Sequence, residues 1–258
     1  MCFILMGSVP VSAQMQASPV PVMYAGPASC SNSQRDPLSA AANPAALTAL
    51  KRRSVAVYGG RDFGLKQLQS FQFAVALKTG LFYAGITAAY HGYASYNESG
   101  IMIHVARKAG EQLDVGVSFS VRSVHQAGYR NMMLPGGAAG FRIHPLHGLT
   151  IGMSVEDPFS KVLPSVYRWG IGYDVSGHFF CGAEIIKQGS MPAFFRMAFS
   201  YQVHPLLFRA GFNGSVHSFF IGAGLRMKAM TIIVSASLHP QLGFSQSFSI
   251  QNVGDDPQ

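Results

Sequence analysis

Histidine and serine are the residues of this chain that could carry out hydrolysis, and nine histidines are present. A serine nucleophile needs an adjacent imidazole base and a third group that orients it. His144, His204 and His239 each precede a proline, where a role in a turn explains them better. The sequence has no G-x-S-x-G, H-E-x-x-H or paired-cysteine metal motif. We therefore predict no enzyme, no catalytic residue, no metal site and no cofactor.

The composition points to a membrane protein instead. Of the 258 residues, 48% are hydrophobic and only 12% are charged, whereas soluble proteins carry roughly 25% charged residues. A membrane helix would need about twenty consecutive apolar residues. The longest uncharged stretch, Ala229 to Gln251, is interrupted by serines, His239 and Pro240. That stretch divides more naturally into two strands.

The net charge of +8 raises the question of an acidic partner. The basic residues are scattered singly and form no stripe or tail, which argues against a nucleic-acid partner. Phosphorylated headgroups of outer-membrane lipid are better placed to meet such a surface.

Strict alternation of apolar and small or polar residues is the strongest pattern. A strand of a membrane barrel turns every second residue to lipid and the others to the lumen. From Leu113 to Val121 the odd positions are apolar, and the even positions from Asp114 to Arg122 are polar or small. The same alternation runs through Tyr167–Val175, Phe195–Val203 and Met230–Leu238, with Ile233 as the exception.

The alternation predicts a closed antiparallel transmembrane β-barrel of about fourteen strands. The predicted strands are 53–60, 68–78, 81–91, 99–108, 111–124, 136–144, 147–155, 165–175, 178–187, 193–204, 206–214, 216–227, 229–239 and 241–251. Short periplasmic turns at 78–80, 144–146 and 204–205 would alternate with longer outer loops at 91–98, 126–135 and 156–164. A soluble β-sandwich is the alternative, but its water-facing side should be rich in Lys, Glu and Thr. Here that side is Gly, Ser and Ala.

Charges of both signs fall on the inward positions. The candidate lumen charges are Asp114, Arg122, Arg142, Glu156, Arg168, Asp174, Glu184, Arg196, Arg209 and Arg226. Such charges can brace the wall as a buried network or set an electric field across a pore. We favour bracing. A barrel of this strand number has spare width that water, a ligand or a plug must occupy.

The chain before the barrel divides into two parts. Residues 1–13 are predicted to be a secretory signal peptide, because an apolar run precedes Val11-Ser12-Ala13. Residues 14–50, built of Pro, Ala, Ser and Asn, are predicted to form an N-terminal hatch in the lumen. Residues 51–258 then form the barrel. Cys30 and Cys181, which would remain after signal cleavage, make no disulfide framework.

A family resemblance supports this division. The runs Ala25-Gly26-Pro27-Ala28-Ser29-Cys30, Asp36-Pro37-Leu38-Ser39-Ala40 and Asn43-Pro44-Ala45-Ala46-Leu47 resemble the N-terminal signature of FadL-like outer-membrane barrels. The resemblance is to the PorV and PorQ type of Bacteroidota in particular. It implies a fourteen-strand barrel with an N-terminal hatch in a bacterial outer membrane.

Asn43, Pro44 and Ala45 form the predicted hatch motif, at the point where the hatch meets the first strand. Pro44 fixes its own φ and keeps Asn43 extended or in a turn, which leaves the Asn43 amide free to bond backbone groups. An ordinary surface turn is the alternative interpretation of this Asn-Pro pair.

The PorV and PorQ resemblance implies a non-enzymatic accessory barrel that docks other outer-membrane or secretion proteins. The alternative is a FadL-like channel for a small or hydrophobic solute. The sequence departs from the group in its short outer loops and in its polar tail, Asn252 to Gln258, which replaces a terminal aromatic residue. Both departures weigh against transport of a large lipid.

Overall fold

The protein is described here from a computed structural model that covers residues 22–34, 36–160, 162–215, 217–228 and 230–253. The predicted signal peptide (1–13) and residues 14–21 of the predicted hatch lie outside these residues.

Fourteen antiparallel strands form one closed barrel in which each strand pairs with its neighbours in sequence and β14 pairs with β1. The strands are β1 (Arg53–Arg61), β2 (Gln69–Thr79), β3 (Phe82–Tyr93), β4 (Tyr96–Lys108), β5 (Leu113–Gln126), β6 (Met132–Leu146), β7 (Leu149–Glu156), β8 (Val166–Asp174), β9 (Phe179–Gln188), β10 (Phe194–Val203), β11 (Leu206–Asn213), β12 (Ser218–Met227), β13 (Met230–His239) and β14 (Gly243–Val253). Closure removes both free sheet edges, so every strand has two hydrogen-bonded partners. The predicted fold class and strand count are confirmed.

The alternation places apolar side chains outside and polar ones inside. On β5, Phe119 is 57% exposed whereas its neighbour Ser120 is 3% exposed. Trp169 and Tyr173 of β8 are exposed on the same outward face. Ile233, the exception in the pattern, turns inward and is buried.

The two ends of the barrel differ in their connections. At the end where the chain enters β1, the turns are 80–81, 109–112, 147–148, 175–178, 204–205 and 228–229; at the other end they are 62–68, 94–95, 127–131, 157–165, 189–193, 214–217 and 240–242. The turns at the end where the chain enters β1 are the shorter ones, as at the periplasmic end of bacterial barrels. We therefore take this end as the periplasmic end.

The predicted outer loop at 91–98 is wrong. Strands β3 and β4 continue through it and pair as far as Tyr93 and Tyr96, which leaves only a two-residue turn. Polar residues such as Asn97 and Glu98 were misleading because they lie on strands that extend beyond the apolar band.

The described part of the N-terminal segment is residues 22–34 and 36–50. It contains helix α1 (Val22–Ala28) and two 3₁₀ helices, Pro37–Ala41 and Pro44–Ala49. Two further 3₁₀ turns, Asp62–Gly64 and Lys66–Leu68, connect β1 to β2. Among the described residues, no helix is long and apolar enough to cross a membrane.

Candidate functional site

The N-terminal segment packs against the inner face of the barrel wall. Helix α1 contacts β8 to β11, the 3₁₀ helix Pro37–Ala41 contacts β1 to β3, and the 3₁₀ helix Pro44–Ala49 contacts β3 to β6. The segment therefore runs around the inside of the barrel and touches most of its circumference.

Apolar contacts hold each part of the segment. Tyr24 and Ala28 of α1 pack on Ala198 and Phe220. The other two clusters are Leu38 with Ala56, Tyr58 and Ala74, and Ala40, Leu47 and Leu50 with Ala76, Tyr83 and Ala106. Because these segment side chains are at most 3% exposed, burial of apolar surface stabilises the docked segment.

Glycines on the inner wall make room for the segment. A Cβ atom at Gly116 would lie 2.5 Å from the backbone nitrogen of Ala45, and one at Gly152 would lie 2.8 Å from Cys30 Sγ. Gly140, Gly170, Gly172 and Gly182 also lie against the segment, so that a Cβ at these positions would contact it. This row of glycines, here called the glycine cradle, lets the backbone approach the wall closely.

Asn43 lies in this cradle and is 3% exposed. Its Oδ1 accepts a hydrogen bond from Ala45 N (3.0 Å), which caps the second 3₁₀ helix, and Pro44 occupies the first position of that helix. Its Nδ2 donates to the carbonyl oxygens of Phe141 (3.2 Å) and Met153 (3.4 Å). The predicted motif therefore contacts β5, β6 and β7, and the predicted position at the first strand is wrong. The wrong position came from assuming that neighbours in sequence dock together.

Arg142 is the most buried charge on the wall, with 0% exposure. It donates to the carbonyls of Ser29 (3.2 Å) and Ser31 (3.1 Å) in the segment and forms an ion pair with Asp114 (2.8 Å). Asp114 also accepts from Thr48 Oγ1 at 2.6 Å. The pair thus binds two separate parts of the segment to β5 and β6.

Asp174 fixes the turn between α1 and the first 3₁₀ helix. Its carboxylate accepts hydrogen bonds from Ser31 Oγ (2.7 Å), the Asn32 backbone nitrogen (2.9 Å) and Ser33 Oγ. A carboxylate that accepts several N–H and O–H bonds is a strong local anchor.

Five of the remaining seven predicted charges form two further groups on the inner wall. Arg122 and Arg168 both pair with Glu156, at 2.6 and 3.1 Å. Arg196 pairs with Glu184 at 3.4 Å, and Glu184 lies directly over Gly26 of α1. These ion pairs join β5, β7 and β8 to each other and β9 to β10, so the sequence-predicted charges fall into separate groups.

Arg209 and Arg226 have different partners. The Arg209 guanidinium lies 3.9 Å from the centre of the Tyr24 ring, in the range of a cation–π interaction. Burial raises the pKa of the Tyr24 hydroxyl. Arg226 donates to Gln202 Oε1 at 2.7 Å.

Sequence reasoning missed two acidic residues of this site. Asp157, at φ 51° just beyond β7, accepts from Arg122 at 2.7 Å. Asp36 caps the first 3₁₀ helix through Leu38 N and accepts from Gln251 Nε2 at 2.7 Å. Burial raises the pKa of both carboxyls. The Asp36-Pro37 pair could have identified the cap, whereas Asp157 lies outside any alternating strand and gave no signal.

One part of the inner wall is more open. Six inward positions of β12 to β14 are half-buried, namely Gly222, Gly224, Ser235, Ser237, Ser245 and Ser247, whereas Phe220, Ile233 and Gln251 on the same strands are buried. These six residues are small and uncharged, whereas Arg226 of β12 carries a charge on the same face. Within the described residues, no three His, Cys, Asp or Glu side chains come close enough to hold a metal ion together.

Comparisons with known proteins find similar folds but no similar sequences. No protein-family model and no curated protein matches the chain. A Pseudomonas aeruginosa FadL homologue matches with a TM-score of 0.60 and 11% identity over 84% of this chain and 93% of that one. The CymD monoaromatic hydrocarbon channel matches with a TM-score of 0.64 and 11% identity over 86% and 94%. A mutant of the TodX monoaromatic hydrocarbon channel matches with a TM-score of 0.59 and 10% identity over 85% and 95%.

These likenesses establish a fold shared with FadL-type channels, which fits a bacterial outer membrane. They give no support to the narrower PorV and PorQ resemblance or to an origin in Bacteroidota.

Proposed function

We propose that this chain is an outer-membrane channel for small hydrophobic solutes and that its N-terminal segment is the hatch. The observation that carries the proposal is the buried segment itself, which lies in a glycine cradle on the inner wall of a fourteen-strand barrel. The named channels with the same fold support this choice.

The arrangement of charge supports an uncharged solute. The ion pairs Arg122–Glu156, Arg142–Asp114, Arg168–Glu156 and Arg196–Glu184 lie on β5 to β10. Six half-buried inward positions of β12 to β14 are glycine or serine. A solute that passes along these six positions meets small, neutral side chains, while Arg226, at the periplasmic end of β12, donates to Gln202 at 2.7 Å.

The docking role that the PorV and PorQ resemblance implies has no support in the comparisons, since the similar structures are described as channels. We therefore propose a channel that is surrounded by outer-membrane lipid.

The test is uptake by intact cells of a Gram-negative host that expresses the chain. The probe is 1-N-phenylnaphthylamine, a hydrophobic aromatic dye that fluoresces in apolar surroundings, and hydrolysis of nitrocefin in the periplasm reports polar leakage. We expect faster dye uptake than in vector-only cells, with nitrocefin hydrolysis unchanged. Ser235→Trp, on the open inner wall, should remove the increase, whereas Val234→Trp, on the lipid face, should keep it. Dye uptake equal to that of vector-only cells, or an equal rise for both probes, would contradict the proposal.

A further inference from the structure

The lipid-facing surface of β4 to β7 carries a groove of about 510 Å³. Its floor is a row of short side chains that are paired across the four strands, Val105, Val117, Ala139 and Val155. The larger side chains of Phe141 and Met153, in the next row, form one side of the groove. The volume falls in the range of about 300–1,000 Å³ that is typical of small-molecule sites.

The groove opens away from the lumen. Gly116 of β5 faces Ala45 of the segment, so Val115 and Val117 on either side of it must point outward. Val117 is 57% exposed and Val105 is 41% exposed. The groove is therefore separate from the hatch and the solute path, and lipid is its natural neighbour.

One cation lies at the end of this groove. Arg107 is exposed on the outward face of β4, and its guanidinium lies 5.6 Å from the centre of the Phe82 ring. Among the described residues, no ion pair involves Arg107. The aromatic ring holds the guanidinium in place and leaves its donors available to an anion.

The position of Arg107 along the strand suits a headgroup. It is one residue from the end of β4, next to the turn 109–112 at the periplasmic end. Arginine on a lipid face costs about 2–4 kcal/mol at the midplane but about 0–1 kcal/mol near the interface. A guanidinium at this depth can reach a lipid phosphate while the apolar floor accepts the acyl chain.

We infer that this groove is a binding site for one anionic glycerophospholipid of the periplasmic leaflet, with its phosphate on Arg107 and an acyl chain over Ala139. Charge complementarity at one end and an apolar floor at the other distinguish this occupant from a second copy of the chain. The inference does not depend on the solute or on the hatch.

Native mass spectrometry of the full chain, released from nanodiscs of equal phosphatidylglycerol and phosphatidylcholine, tests it. We expect the wild type to retain one phospholipid, predominantly phosphatidylglycerol. Ala139→Phe fills the groove and should abolish retention, whereas Ala223→Phe, the same change on the lipid face of β12, should not. Arg107→Gln should reduce the preference for phosphatidylglycerol roughly fivefold, and Arg53→Gln, at the same end of β1, should leave it unchanged.

Three results would overturn the inference. Retention by Ala139→Phe at the wild-type level would show that the lipid lies elsewhere. If the wild type shows the mass of a dimer and Ala139→Phe does not, the groove is the contact surface for a second copy of the chain. Equal retention of the two lipids by the wild type would remove the role of Arg107. Heat-modifiable migration on gels identifies folded variants, and the dye-uptake rate of Ala139→Phe should stay at the wild-type value.

Discussion

Asn43 and Phe141 are joined by a hydrogen bond from the Asn43 side-chain amide to the Phe141 carbonyl, at 3.2 Å. The bond connects the N-terminal segment to β6 across 98 positions of sequence. The same side chain caps its own 3₁₀ helix through Ala45 N. One amide thus fixes both the local shape of the segment and its place on the wall.

Replacing Asn43 with alanine should loosen the segment. The change removes the cap on Ala45 N and two hydrogen bonds to carbonyls of the wall, and loss of such a cap costs on the order of 1 kcal/mol. We expect faster hydrogen exchange in residues 36–50 while the strands exchange at the wild-type rate. Asn43→Asp keeps the capping oxygen and loses the donor, so it should give an intermediate rate. Exchange equal to wild type in Asn43→Ala would show that the amide does not hold the segment.

A single methyl group on the glycine cradle should displace the segment. Gly116→Ala places a carbon 2.5 Å from Ala45 N, and overpacking of this kind costs about 1–3 kcal/mol. Gly100→Ala is the matched control, because its methyl would approach no atom closer than 3.4 Å. We expect limited proteolysis to cut residues 36–50 in Gly116→Ala only. Equal protection of both variants would mean that the segment does not need the cradle.

The docking of the segment should depend on pH through Asp36. Burial raises the pKa of this carboxyl, although Arg209 and the bonds from Leu38 N and Gln251 oppose the shift. A raised pKa in the docked state means that docking gains stability when the carboxyl is protonated. This contribution is fully present below the usual pKa and is lost as pH rises through the raised value.

Channel openings recorded in planar bilayers should therefore become rarer as the pH falls from 7 towards 4. Asp36→Asn, which keeps the capping oxygen, should flatten this dependence. A wild-type opening frequency that rises as the pH falls would have the wrong sign for this carboxyl.

The cost of placing an arginine on the lipid face of β8 should depend on its depth in the membrane. Ile171 lies at the middle of the strand and is 48% exposed, so Ile171→Arg should destabilise the barrel by about 2–4 kcal/mol. Tyr167→Arg, on the same face at the outer end of the strand, should cost less. Urea titration of heat-modifiable migration measures both, with Ile171→Leu as the control. Equal midpoints for Ile171→Arg and Ile171→Leu would place this face in water.

The barrel could be predicted because its information is local. Alternation from Leu113 to Arg122 defines both faces of β5 without knowledge of any other strand. The approximate bounds of the strands followed for the same reason. Where strands extend beyond the apolar band, as at Asn97 and Glu98, the pattern loses its contrast and the bounds were wrong.

The partners of the inward charges could not be predicted. Arg142 is evidently inward from the sequence, but its bonds to Ser29 and Ser31 depend on how the segment folds back through the barrel. Similarly, Asn-Pro suggested an extended Asn43 without showing that Gly140 lies beneath its side chain. Contacts between distant parts of the chain produce no periodic pattern in a single sequence, so they could not be predicted from it.

Single-channel conductance in planar bilayers tests the hatch most directly. The wild type is compared with a chain that lacks residues 14–42 and with the double change Asn43→Ala and Pro44→Ala, each shown by heat-modifiable migration to be a folded barrel. We predict that both variants conduct more than the wild type, because space that the docked segment fills becomes open to ions. Conductance at the wild-type level in a folded barrel that lacks residues 14–42 would contradict the account, since the segment would then not be what closes the lumen.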